Sequence, residues 1–148
     1  MDGGSPSMRN FLRWSGRVTT SGRLLPEAPE GLAASGTAHV VNLALGDHPE
    51  ALPDEAARFA SLGIGYTHIP VPFGAPTRAH VEALREVLDQ IEGPVHVHCI
   101  MNWRVTAFMY LIDRKVDEAA ARTKMLSVWD PLASEDPAAA PWKALLSP

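Results

Sequence analysis

Four short apolar runs, each separated from the next by a segment with helix signals, recur along this chain, and that alternation leaves few architectures open. "RVTTSG" (Arg17 to Gly22), "HVVNLAL" (His39 to Leu45), "YTHIPV" (Tyr66 to Val71) and "VHVHC" (Val95 to Cys99) read as strands. In the first gap Pro29 suits an initial helical turn and Gly36 a stop. In the second, Pro53 stands near a helix start, Phe59 and Leu62 lie one turn apart, and Gly63 suits a cap. In the third, Thr77 can cap "RAHVEALREVLDQIEG". There Val81, Leu84, Leu88 and Ile91 keep near-helical spacing, and Gly93-Pro94 end the segment. Strands joined through helices must run parallel and be covered on both faces. The expected fold is therefore α/β: a three-layer sandwich with a mostly parallel, four- to five-stranded sheet flanked by helices.

The segment after Cys99 differs from the other helices. Val105, Phe108, Met109 and Ile112 make one face, while Ala107, Tyr110 and Leu111 leave most of the rest apolar, so this helix should be central and buried. Two more helices are expected. One covers "EAAARTKMLSVW", with Ala121, Met125, Val128 and Trp129 inward, and a short last one surrounds Trp142, Leu145 and Leu146. A length of 148 residues with 46% apolar content fills one core, which gives a single domain over 10–148. Residues 1–9, rich in Gly, Ser and Pro, read as a flexible N-terminus.

Composition also narrows function. A net charge of -4, with basic residues scattered singly, gives no footprint for nucleic acid or an anionic membrane surface. No run of eighteen apolar residues and no apolar leader is present, so a cytoplasmic protein is expected. The single cysteine, Cys99, cannot form an internal disulfide, and it is either a small buried hydrophobe or a thiol kept for its chemistry.

Its position favours the second reading. A strand delivers Cys99 at its carboxyl end, a tight turn follows, and a buried helix begins near Arg104, which is where open α/β sheets bind ligands. Amides in a short loop entering a helix form an anion nest, and the same field favours a thiolate. Arg104 adds a planar fork for two oxygens of a phosphate or sulfate. Trp103 either walls this pocket or packs beneath the loop. His96 and His98 share one strand face as an H-x-H pair, but zinc wants three or four ligands, so no metal is expected. No cofactor is implied. His39, His48, His68 and His80 read as surface or cap residues, and Arg23 as an ordinary surface arginine.

On these residues the chain resembles the cysteine-based protein tyrosine and dual-specificity phosphatases. "TTSGRLLPE", "AHVVNLAL", "LGIGYTHIPV" and "VHVHCIMNWRVTAF" appear in the order seen in the small bacterial branch of that superfamily, over roughly residues 17 to 114. The resemblance implies a phosphatase-like fold and a phosphorylated protein or small phosphomonoester as substrate. It also implies Cys99 as nucleophile, Arg104 as phosphate-binding arginine and His98 as the histidine that tunes the thiolate. Ile100, Met101, Asn102 and Trp103 would supply the loop, and Thr106 the hydroxyl that helps the thiolate leave.

Three departures stand out. Only four residues separate Cys99 from Arg104 where the family has five, and Asn102 replaces the loop glycine, as the residue that best tolerates a left-handed backbone. The loop "PVPFGAPTRAH", where the family keeps its general-acid aspartate, has no carboxylate before Glu82. Asp47, Glu50, Asp54 and Glu55, beyond the second strand, are possible substitutes. Four-residue spacing also suits rhodanese-type sulfurtransferases, whose shorter loop holds a persulfide sulfur. A non-catalytic phosphate-binding protein is the third reading.

Overall fold

The computed structural model describes residues 7–147, and the expected alternation is present in it. Strands β1 (Leu12–Arg13), β2 (Val18–Ser21), β3 (His39–Asn42), β4 (Gly65–His68) and β5 (Val95–His98) form one sheet in the order β1-β2-β5-β3-β4. Four run parallel, and β1 adds an antiparallel edge on β2. β5 takes the centre because all four of its residues can be buried, the valines on one face and the histidines on the other.

Helices cover both faces. α1 (Ala28–Ala34) and α2 (Glu55–Ser61) bring Leu32 and Phe59 against Val40 on one side. On the other, α3 (Arg78–Gln90), α4 (Trp103–Leu126) and α5 (Ala140–Leu146) pack Leu84, Phe108 and Trp142 against Val41, Val95 and Val97. Thr77 caps α3 as expected, accepting from the His80 amide while the His80 ring accepts from Thr77 N–H. The two helices read between 103 and 129 are joined end to end in α4 with a break at Asp117 (φ -152°, ψ 89°). There the Asp117 carboxylate accepts from Ala120 N–H at 3.1 Å, as an N-cap does. No helix of the described residues is long and apolar enough to cross a membrane.

Two boundaries differ from the sequence reading. β3 stops at Asn42 instead of running on to Leu45, because the Asn42 side chain takes the Ala44 amide at 2.8 Å and turns the chain. Of the N-terminus read as flexible, residues 1–6 lie outside the described residues, whereas Ser7, Met8 and Arg9 are built into the fold. Met8 is buried and bridges Leu24, and backbone bonds join Arg9 to Gly22 and Arg23. Gly, Ser and Pro content hid one apolar anchor.

Candidate active site

Two parallel neighbours bring Cys99 to the carboxyl edge of the sheet. Cys99 N–H donates to Ser21 O (3.2 Å), and His98 O accepts from Leu43 N–H (2.8 Å). The chain then turns through Ile100 and Met101 to Asn102, whose φ of 67° and ψ of 11° are the left-handed geometry expected of this residue, and α4 begins at Trp103. Carbonyls of the loop are held from one side. Ile100 O accepts from Arg23 N–H (2.8 Å) and from Arg9 Nη1 (3.3 Å), and Met101 O from Asn10 Nδ2 (3.1 Å). A trans peptide points its carbonyl and the following N–H in opposite directions, so the Met101 and Asn102 amides face away from that strap. Among the described residues, no backbone hydrogen bond outside helices and strands uses the amides of Ile100, Met101 or Asn102. Trp103 and Arg104, in the first turn of α4, add amides without intrahelical acceptors and the positive end of the dipole.

Close packing fixes the outer side of the loop. A Cβ on Gly22 would run into the Ile100 carbonyl and come within 3.0 Å of Met101 Cα. Gly22→Ala is therefore expected to cost about 1–3 kcal/mol, seen as a lower urea midpoint with an unchanged slope, since both clashing atoms are backbone.

Cys99, Ile100, Met101, Trp103 and Arg104 all line one cavity of about 290 Å³. Cys99 is 1% and Arg104 7% exposed. The Arg104 guanidinium is fixed by donation from Nη1 to Val71 O (2.7 Å) and lies 5.9 Å from the centre of the Phe73 ring. Phe73 comes from the loop after β4, the place where a carboxylate was sought. It packs among Trp103, Trp129 and Trp142 at 5.5–6.1 Å, and Trp142 Nε1 donates to Phe73 O. Trp103 walls the pocket and also stacks on Trp129, at 5.1 Å and 11°.

Other expected residues sit elsewhere. The Asn102 side chain donates to Asn10 O (2.8 Å) and Thr20 Oγ1 (3.0 Å), and Asn102 is not among the residues that line the cavity. Thr106 Oγ1 donates to Asn102 O at 2.8 Å, and no hydrogen bond joins it to Cys99 among the described residues. Its hydroxyl is one helical turn beyond an acceptor, which claims it. His98 lies behind the loop, with Nδ1 3.3 Å from Cys99 O and Nε2 2.6 Å from Glu55 Oε2, both side chains at most 6% exposed. Next to them Tyr66 accepts from Asn42, and burial pushes its phenol up to about 12. His96 is held at both nitrogens by the Thr19 and Ser21 hydroxyls, and burial, with His98 alongside, pulls it down to about 3, so it is neutral.

None of the four possible substitute acids lines the cavity. Glu50 bridges Arg9 (2.8 Å) and Arg23 (3.0 Å), and the hydrogen bond from Arg9 holds its carboxyl below the usual range. Glu55 is committed to His98, and Asp47 and Asp54 are exposed. His48, read as a surface or cap residue, does line it, with Leu45 beside it. The available signal was its place just beyond a strand's carboxyl end.

No protein-family model matches this chain, and no curated protein matches it in sequence. Solved structures do. A candidate phosphatase (DUF442) from Shewanella putrefaciens CN-32 superposes with a TM-score of 0.83 at 28% identity, covering 94% of this chain and 89% of that one. A candidate phosphatase from Neisseria meningitidis Z2491 gives 0.67 at 22%, with 79% and 88% covered. A cysteine-to-serine form of P. aeruginosa TpbA in complex with pTyr gives 0.63 at 20%, with 82% and 78% covered. The chain has the fold of the cysteine-based tyrosine and dual-specificity phosphatases.

Proposed function

We propose, with that fold as premise, that the protein is a phosphoric monoester hydrolase that works through a cysteinyl-phosphate on Cys99 and prefers aryl phosphates. The observation that carries this is the convergence of Cys99, a loop with outward carbonyls and the fixed Arg104 on one cavity. Phosphoryl transfer asks mostly for positioning and charge stabilisation, which amides and a guanidinium supply. The Cys99 thiolate attacks phosphorus and the bond to the leaving oxygen breaks. Water then attacks phosphorus, the P–S bond breaks, phosphate leaves and its proton passes to solvent. Ile100, Met101, Asn102 and Trp103 contribute N–H groups to the equatorial oxygens, Arg104 its free guanidinium edge, and His98 supports Cys99 from behind.

Substrate class follows from the walls. Phe73 and Trp103 give an aromatic ring two faces to pack against, and an aryloxide needs less help to depart than an alkoxide. Phosphotyrosine in a protein fits this description, and the pTyr complex of TpbA supports it. We place the protein in the cytoplasm, where a thiol nucleophile stays reduced. The four-residue spacing keeps sulfur transfer as the rival. The deciding experiment combines phosphate release from an aryl phosphate with intact mass after thiosulfate. Turnover inhibited by vanadate, with unchanged mass, is expected. A sulfur added to Cys99 and removed by cyanide, without phosphate release, overturns the hydrolase reading.

A further inference from the structure

The hydrolase reading leaves the departing oxygen without a carboxylic acid. Besides Arg104, the side chains lining the cavity that carry an N–H are His48 and Trp103, and of these two only the His48 ring is held by a hydrogen bond among the described residues. We infer that His48 donates a hydrogen bond from Nε2 to the leaving-group oxygen. The inference rests on the hydrolase reading and adds a residue to it.

His48 lines the same cavity as Cys99 and Arg104, and its orientation is fixed from behind. His48 Nδ1 accepts the Glu50 amide at 2.9 Å, so that nitrogen carries a lone pair and the ring proton sits on Nε2. Backbone bonds from His48 N–H to Leu45 O (3.2 Å) and from Ala51 N–H to His48 O (2.9 Å) hold the turn. Glu50 ties it to the phosphate loop, because Arg9, which grips the Glu50 carboxylate, also donates to Ile100 O. The ring is thus linked through Glu50 and Arg9 to the loop that carries Cys99.

Chemistry defines what such a group does. As the P–O bond breaks, its electron pair goes to the leaving oxygen, and a neutral imidazole N–H aimed there stabilises the developing charge. An uncharged imidazole keeps its proton against an aryloxide, so the proton that completes the phenol comes from water. His48 therefore acts as a hydrogen-bond donor to the reacting atoms, and its benefit grows with the basicity of the leaving group.

Two substitutions separate donor from scaffold. His48→Asn places an amide oxygen where Nδ1 accepts from Glu50 and removes the distal donor, whereas His48→Gln keeps an N–H near Nε2 and loses the acceptor. A series of aryl phosphates of rising phenol pKa gives the slope of log kcat/KM for each protein. His48→Asn is expected to steepen it, with little loss for the most acidic phenols and about 10²-fold for the least acidic. His48→Gln should hold close to the wild-type slope. Cys99-dependent hydrolysis with equal slopes in all three proteins, or a steeper slope in His48→Gln than in His48→Asn, overturns the role of His48 alone. Absence of Cys99-dependent hydrolysis in the wild type overturns the hydrolase reading and this inference with it.

Discussion

Replacing Cys99 with serine is expected to abolish the proposed turnover of aryl phosphates, and replacing Arg104 with lysine to lower kcat/KM by about 10²- to 10³-fold. The two losses have different physical origins. Serine fits the space of a thiol that is 1% exposed, so loop and cavity survive, but a hydroxyl at this site is a far weaker nucleophile at neutral pH. Cys99→Ser should therefore still bind vanadate or an aryl phosphate, detectable by calorimetry, while releasing no phosphate. Lysine keeps the charge of Arg104 and loses its shape. One Arg104 nitrogen is already committed to Val71 O at 2.7 Å, and the others stay in plane to meet an anion. A lysine ammonium cannot hold the carbonyl and present a rigid fork at once. Wild-type rates in Cys99→Ser would remove the cysteinyl-phosphate from consideration.

Glu55→Leu is expected to destabilise the protein by about 1–3 kcal/mol, the range for leaving a buried hydrogen-bonding group without its partner. His98 would keep its Nδ1 contact with Cys99 O and lose the acceptor for Nε2, at a side chain that is 4% exposed. Urea unfolding measures this directly. Replacing both residues, as Glu55→Leu with His98→Leu, should recover much of the loss, because the pair is removed together with its unmet need. A Glu55→Leu midpoint equal to wild type would mean that the carboxylate contributes nothing to holding His98.

Residues that act through their own neighbours in sequence were legible. Val95 to Cys99 announced a central strand, and the helix after it declared itself buried by having apolar residues on nearly every face. The left-handed turn at Asn102 followed from residue type alone. The Thr106 hydroxyl donates to Asn102 O because a first helical turn sets a carbonyl beside it, and position along the motif does not show that partner. His48 and Phe73 reach the cavity from two separate loops, and a wall assembled from three segments has no periodicity for a sequence reading to detect. Glu55 was noticed as an acid. Its burial against His98 depends on how α2 leans on the sheet, which spacing does not encode.

Arg9 and Asn10 lie 91 residues from the carbonyls of Ile100 and Met101 that they hold. On a growing chain the strap is made early and waits until the loop it shapes has been synthesised. Closing so long a loop costs conformational entropy that only the assembled sheet can offset, so this is a late event in the folding order. A chain whose four parallel strands have paired but whose residues 7–13 have not docked would have most of its core in place and its loop carbonyls free to rotate. Recovery of enzymatic activity during refolding should then lag behind recovery of tryptophan burial, and the site becomes a reporter of the last step the chain completes.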